Sequence, residues 1–392
     1  MEKQLSTRQA CILLFVSIVI GKIMILPSMI NYISSNDTWI VFLMAFCVDF
    51  FFCLLLLPFV TKQEQNFFVV VKNKAGKFVA NLVAVLLFVL FGFKAFDLLA
   101  QNYFLFAETI YVDINKITFL VLAGVAVCYL GTRQLRSLGR TIEILFFLIV
   151  ASLVISVIIA VPAIKPTNIF PIFHTGFSNL ARGALIHGMW FGDFLLMFFF
   201  MGNVKIEKNT TKRFVKTYIF SALAVVAIIT IFVCVFNHTA SIHRNCIVDM
   251  TETLPRLLSE GRFNWIVYFT FPIASLFLMG FYAYCSISSV QFCIKEKIKS
   301  NKTVSALLLV AFFAVNFILF MNFSRYYDFE VSALKYFAMF MNLVFPLAIL
   351  PVFYAGGQKK IKQGSGVWQK KFWHQKLWFS FWLFLQYIFH LQ

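Results

Sequence analysis

Apolar runs of about 20 residues recur from one end of this chain to the other, and each is long enough to cross a bilayer. They fall at roughly 10–33, 38–60, 78–104, 114–131, 142–162, 184–204, 214–237, 264–294, 303–323 and 332–355. A soluble domain of 392 residues could not hide a chain that is 61% hydrophobic with a mean hydropathy of +0.85. The pattern predicts an all-α integral membrane protein of ten helices. The first run continues past signal-peptide length with no small-residue cleavage site, so it is expected to be a retained span.

The net charge of +18 lies in the connections. Of the 34 Lys and Arg, 24 fall on the side of the N-terminus, alternate loops and the C-terminal tail, and 8 on the other; Lys22 and Lys94 lie within spans. The positive-inside rule then places both termini in the cytoplasm. It accounts for the charge without nucleic acid, against a bilayer as the partner surface. Residues 356–392 are basic and then Trp-rich, a composition suited to the membrane interface.

Of the eight cysteines, seven lie in or beside apolar runs and none forms a CxxC. They read as small apolar residues, with no disulfide framework. His238, His243 and Cys246 occupy the longest external loop, about 238–263, where a short amphipathic helix is expected after Thr251. That ligand count is too small for a metal site. No catalytic triad or phosphate-binding loop is present, so no enzyme and no cofactor is expected.

Two runs are interrupted. The first carries Gly21, Lys22, Ile25 and Pro27; the sixth carries Gly183, Gly188 and Gly192, followed by Asp193. Glycine and proline free backbone groups that lipid cannot satisfy. The two runs open two consecutive five-span halves of opposite direction, about 10–162 and 184–355. This points to an inverted-repeat transporter fold with broken helices 1 and 6 around a midplane site. The alternative is close helix packing, since Gly188 and Gly192 form a GxxxG step.

Intramembrane charges are rare and mark pathways or relays. They are Lys22, Asp49, Lys94, Asp97, Glu143 and Asp193. Lys94 and Asp97 are three apart and are expected to pair on one helix face. Glu143 lies at the cytoplasmic edge beside Arg140, as a gate or packing contact. Asp49 has no local partner. Lys22 lies about 18 Å into its span, too deep to snorkel easily. If the first and sixth spans cross, it meets Asp193, as a fixed cation in place of sodium or as a proton carrier. His187, one turn before Gly192, is secondary.

Four segments then carry a resemblance: STRQ at 6–9 with IGKIMILPSMI at 20–30, GTRQLRSLGRTIEI at 131–144, NIFPIF at 168–173 and FGD at 191–193. Over about 6–355 the chain resembles the endospore germination permeases, the B-type subunits of spore nutrient germinant receptors within the amino acid–polyamine–organocation transporter superfamily. The resemblance implies a leucine-transporter-like fold in the spore inner membrane. It implies recognition of a small nutrient, usually an amino acid, and assembly with an A-type membrane subunit and a C-type lipoprotein. By position the pocket would be lined by Gly21 to Pro27 and Gly188 to Asp193, completed by spans 3 and 8; from polarity, Tyr103, Ser275, Tyr282 and Ser286 are the candidates there. A proton-coupled amino acid permease is the other function such a chain could have.

Overall fold

The computed structural model describes residues 4–109, 114–253, 264–294 and 301–354. The Trp-rich tail and the segment directly after Thr253 lie outside the described residues. Among the described residues there is no strand beyond one isolated pairing; everything regular is helical.

The first apolar run is two helices, α1 (Thr7–Ile20) and α2 (Leu26–Ser34). A capping box starts α1: the Ser6 hydroxyl accepts from Gln9 N–H while the Gln9 amide accepts from Ser6 N–H. Helical pairing stops at Gly21 and resumes at Leu26, with Pro27 in the first turn of α2. A missing N–H costs nothing there, so the proline opens a second helix and does not kink the first. Nearly every side chain of α1 is buried, which places it at the centre of the bundle.

There follow α3 (Thr38–Lys62), α4 (Phe67–Ala75), α5 (Lys77–Thr109), α6 (Lys116–Gly131) and α7 (Leu135–Ala160). The α4 helix falls where the sequence predicts a loop. Phe67 stacks on Phe198 at 4.2 Å and Phe68 on Phe292 at 5.3 Å, so packing overrides its terminal lysines. The sixth run begins earlier than expected, with α8 (Gly176–Ile186), then two short 3-10 turns and α9 (Met197–Phe200). The pieces on either side of residue 187 are bent by 56°. Then come α10 (Thr210–Phe236), α11 (Cys246–Thr251), α12 (Asn264–Ile294) and α13 (Asn301–Met321). Last are α14 (Phe323–Phe329), α15 (Lys335–Met339) and α16 (Phe345–Tyr354), joined by π-helical turns at Glu330–Leu334 and Phe340–Val344.

Among the described residues, seven helical stretches are long and apolar enough to cross a membrane, and eight if the bent pair counts as one. Thr7–Ile20 and Lys116–Gly131 are shorter apolar helices. The core is built on α5 against α12, α1 against α10 and α7, and α3 against α10.

Two ties fix the interrupted runs. Leu5 pairs with the segment after α9: its N–H donates to Asn203 O at 2.8 Å and its carbonyl accepts from Lys205 N–H at 2.8 Å. Thr7 adds a 2.8 Å bond to Lys205 O. At the other end Asp37, fully buried, accepts from Phe173 N–H (2.8 Å), Thr175 N–H (3.1 Å) and the Thr175 hydroxyl (3.0 Å). Asp37→Ala leaves those donors unpaired, at an expected cost of about 2–4 kcal/mol. Asp37→Asn, which keeps an acceptor, should lose about half as much. Thermal unfolding of the two variants in detergent checks the order.

Candidate functional site

The break in the first run carries Lys22 to the middle of the molecule. Its side chain is completely buried and its ammonium bonds the Asp193 carboxylate. The Phe191 and Phe46 rings lie 5.5 and 5.7 Å from Nζ. Asp193 is brought there by Gly192, whose φ of +81° is a left-handed conformation that side-chain-bearing residues rarely adopt. The turn aims Gly192 N–H at Asp49 Oδ2, 2.8 Å away. Asp49, partnerless along its own helix, thus has its partner across the bundle.

Lys94 completes the group and corrects the local reading. It does not pair with Asp97. Its ammonium donates to Phe191 O at 2.6 Å and lies 3.4 Å from Asp193 Oδ1. Tyr282 is 3.5 Å from the same oxygen and 2.7 Å from the Ser17 hydroxyl. Lys22 and Lys94 thus both reach Asp193, with Asp49 buried beside them on Gly192 N–H. Each ion alone would carry a desolvation penalty of several kcal/mol, which mutual pairing and the added hydrogen bonds offset.

Asp97 points elsewhere, to the Tyr326 hydroxyl, with which it hydrogen-bonds. One turn on from Tyr326, Glu330 Oε1 accepts from the Trp190 indole N–H at 3.1 Å. Both carboxylates are buried. They stand at the floor of a cavity of about 400 Å³, also lined by Ile25, Ser28 and Met29 of the first run, Trp190 of the sixth, and Gln101. Its exposed end carries Tyr32, Ser241 and Arg244. A second cavity of about 10 Å³ is lined by Gly21, Lys94, Asp97, Trp190 and Tyr282, so it shares Asp97 and Trp190 with the larger one and touches Lys94 of the lysine–aspartate group.

Other sequence candidates are placed differently. Ile25 lines the cavity. Pro27 sits in the first turn of α2 and Gly188 O accepts from Asn342 Nδ2 at 2.7 Å; neither residue lines the cavity. Ser275 bonds Asn102 at 2.6 Å and Ser286 bonds Phe88 O at 2.9 Å, both away from the cavity. Tyr103 packs on Phe104, Phe119 and Phe320 and does not line it. His187 is buried outside it, with neither ring nitrogen hydrogen-bonded among the described residues. Glu143 turns to the first helix, 2.9 Å from Gln9 Nε2 and 3.5 Å from Arg8 Nε. It ties α7 to α1.

Sequence reasoning misses Glu330, Tyr326 and Gln101, while Trp190 falls within the Gly188 to Asp193 stretch expected to line the pocket. The polar cluster around Asp328 places Glu330 in a connection, whereas the helix continues through a π turn there and buries it.

In the external loop, His243 packs on Phe236 (3.8 Å between ring centres) with Nδ1 3.5 Å from Asp249, while Cys246 is buried. No three His, Cys, Asp or Glu side chains converge among the described residues. Burial pushes the Asp249 carboxyl up from 3.8 to about 7. The stability this group contributes is fully present below about pH 4 and is lost as pH rises to about 7. Asp249→Asn should therefore melt higher than the parent above pH 7 and match it near pH 4, measured as the difference between the two melting curves.

The spore germination protein family matches residues 4–326, more than three-quarters of the sequence. The chain belongs to that family. None of the curated proteins matches it. Among solved structures, the crystal structure of MhsT in complex with L-phenylalanine superposes with a TM-score of 0.60 over 96% of each chain, at 13% identity. At that identity the likeness speaks to fold alone. The chain is thus a multi-pass membrane protein with a leucine-transporter-like fold, helical throughout its described residues apart from one isolated bridge. The family is one of spore germination proteins and is not an enzyme family.

Proposed function

We propose that this chain is the B-type membrane subunit of a spore nutrient receptor, binding a small nutrient, an amino acid, where the two interrupted runs meet. The observation that carries the reading is the cavity of about 400 Å³ bounded by Ile25, Ser28 and Met29 of the first interrupted run and by Trp190 of the sixth. Its size suits a small molecule. Segments with free backbone at membrane depth are tolerated where they line such a cavity. Grouping α1 with α2, α8 with α9, and α14 to α16 together supports ten crossings in two inverted halves, about 10–162 and 184–355. The reading includes cytoplasmic termini, an interfacial tail at 356–392, the spore inner membrane, and A-type and C-type partner subunits. Ligand binding would bias two conformations of the bundle, which the partners read.

The buried carboxylates Asp49, Asp97 and Glu330 favour a second reading, a proton-coupled amino acid permease. A nutrient panel on spores lacking this gene separates the two. Loss of response to one nutrient, restored by the gene, is the expected result. An unchanged response to every nutrient would overturn the receptor reading, and amino-acid uptake in proteoliposomes would then test the permease.

A further inference from the structure

Helices α1, α7 and α10 run side by side, with α1 between the other two. At its start, the Thr7 hydroxyl lies 3.1 Å from that of Thr210 on α10, and Gln9 Nε2 donates to Glu143 of α7 at 2.9 Å. Further along, the Phe15 ring meets Phe146 of α7 edge-on at 5.3 Å and stacks on Phe220 of α10 at 6.1 Å. α7 and α10 are thus the walls of a seam whose floor is α1. At its far end α11 packs against both walls.

Each wall carries the same order of residues. On α7 it is Arg136, Arg140, Ile144 and Phe147; on α10 it is Lys212, Lys216, Phe220 and Leu223. Steps of three and four keep each set on one helix face. The four apolar side chains are all more than half exposed. Arg140, Lys212 and Lys216 are exposed and Arg136 is half-buried. None of these four cations makes an ion pair among the described residues. The carboxylates of the same segments are already engaged, Glu143 by Arg8 and Gln9, and Glu207 by Arg213 at 2.8 Å. The positive-inside rule accounts for the side on which these cations lie, but not for their alignment over two apolar stripes.

We infer that this seam seats an anionic phospholipid of the leaflet on the N-terminal side, and that cardiolipin, with two phosphates, fits it best. Its phosphates meet the two pairs of cations, where the Arg140 guanidinium offers a fork of donors and Lys216 a point charge. Its acyl chains follow Ile144 and Phe147 on one wall and Phe220 and Leu223 on the other. Lys and Arg at a membrane surface attract anionic headgroups, and basic clefts between spans hold them in place. The floor is the first half of an interrupted run, so an occupied seam braces α1 and raises the melting temperature.

The test uses the purified full-length chain in detergent, titrated with cardiolipin, phosphatidylglycerol, phosphatidylcholine or glycerol 3-phosphate, and read by native mass spectrometry and thermal unfolding. Cardiolipin is expected to bind tightest and stabilise most, and phosphatidylcholine least. Arg140→Gln with Lys216→Gln should weaken cardiolipin at least about 10-fold, with melting in the absence of lipid unchanged. Lys72→Gln with Lys77→Gln, which removes the same charge from α4 and α5, should leave the affinity as it was. Equal affinity for cardiolipin and phosphatidylcholine, or an equal loss in the two double variants, overturns the seat. So does glycerol 3-phosphate binding as tightly as cardiolipin, which would reduce the site to an anion on surface cations. Loss of germination in the Arg140/Lys216 variant with cardiolipin affinity unchanged would also overturn it, and would give this face to an acidic protein partner.

Discussion

Replacing Lys22 with alanine is expected to abolish the nutrient response while leaving a full-length protein in the membrane. The substitution removes the ammonium that bonds Asp193 in a site with no solvent exposure. Lys94, 3.4 Å away and already bound to Phe191 O, is left as the only cation beside Asp193. Breaking a buried pair from one side costs about 3–5 kcal/mol, because the remaining charge is stranded. The fall should appear as a lower melting temperature in detergent and as loss of germination in a complemented deletion strain. Exchanging the pair, Lys22→Asp with Asp193→Lys, keeps the charges balanced and should recover part of the melting temperature. Equal activity of Lys22→Ala and the parent across a pH series would remove Lys22 from the mechanism.

Gly192→Ala is the second large effect, and it has two separable causes. The left-handed backbone at φ +81° costs an alanine about 1–2 kcal/mol. A Cβ there would also overlap the Asn342 amide, so Asn342 must move and give up its 2.7 Å bond to Gly188 O. Losing that bond adds about 1 kcal/mol. The combined loss should be about 2–3 kcal/mol, together with a weakened Asp49 contact to residue 192. Adding Asn342→Ala removes the overlap but not the backbone strain. The double variant should therefore lose less than the sum of the two single ones. Strict additivity of the melting data would show that the side chains do not meet.

Part of this site is legible in the sequence, for a physical reason. Glycine, proline and charge are expensive inside an apolar run, so Gly21, Lys22, Pro27, Gly192 and Asp193 stand out against their surroundings without any knowledge of contacts. What is not legible depends on tertiary partners. Lys94 and Asp97 satisfy the local spacing rule for an ion pair, yet Lys94 is taken by Asp193 and a backbone carbonyl from another segment. Glu330 sits in a polar stretch that hydropathy assigns to a connection, and only the π turn and the Trp190 bond bury it. Gln101 and Tyr326 are ordinary residues in their own helices until the cavity brings them together. The α4 helix is hidden by its lysines, because its stability comes from phenylalanines of two distant segments.

The pairing of Leu5 with residues 203–205 bears on how the bundle can move. A swing of α1 against the segment leading into α10 must first break two backbone hydrogen bonds and the Thr7 bond to Lys205. A swing of α2 about residues 21–25 breaks none of these. The Asp37 clasp also joins the end of α2 to the chain entering α8, so those two pieces travel as one body. The bonds that hold the inner halves together are thus separate from the ones that join α2 to the entry of α8.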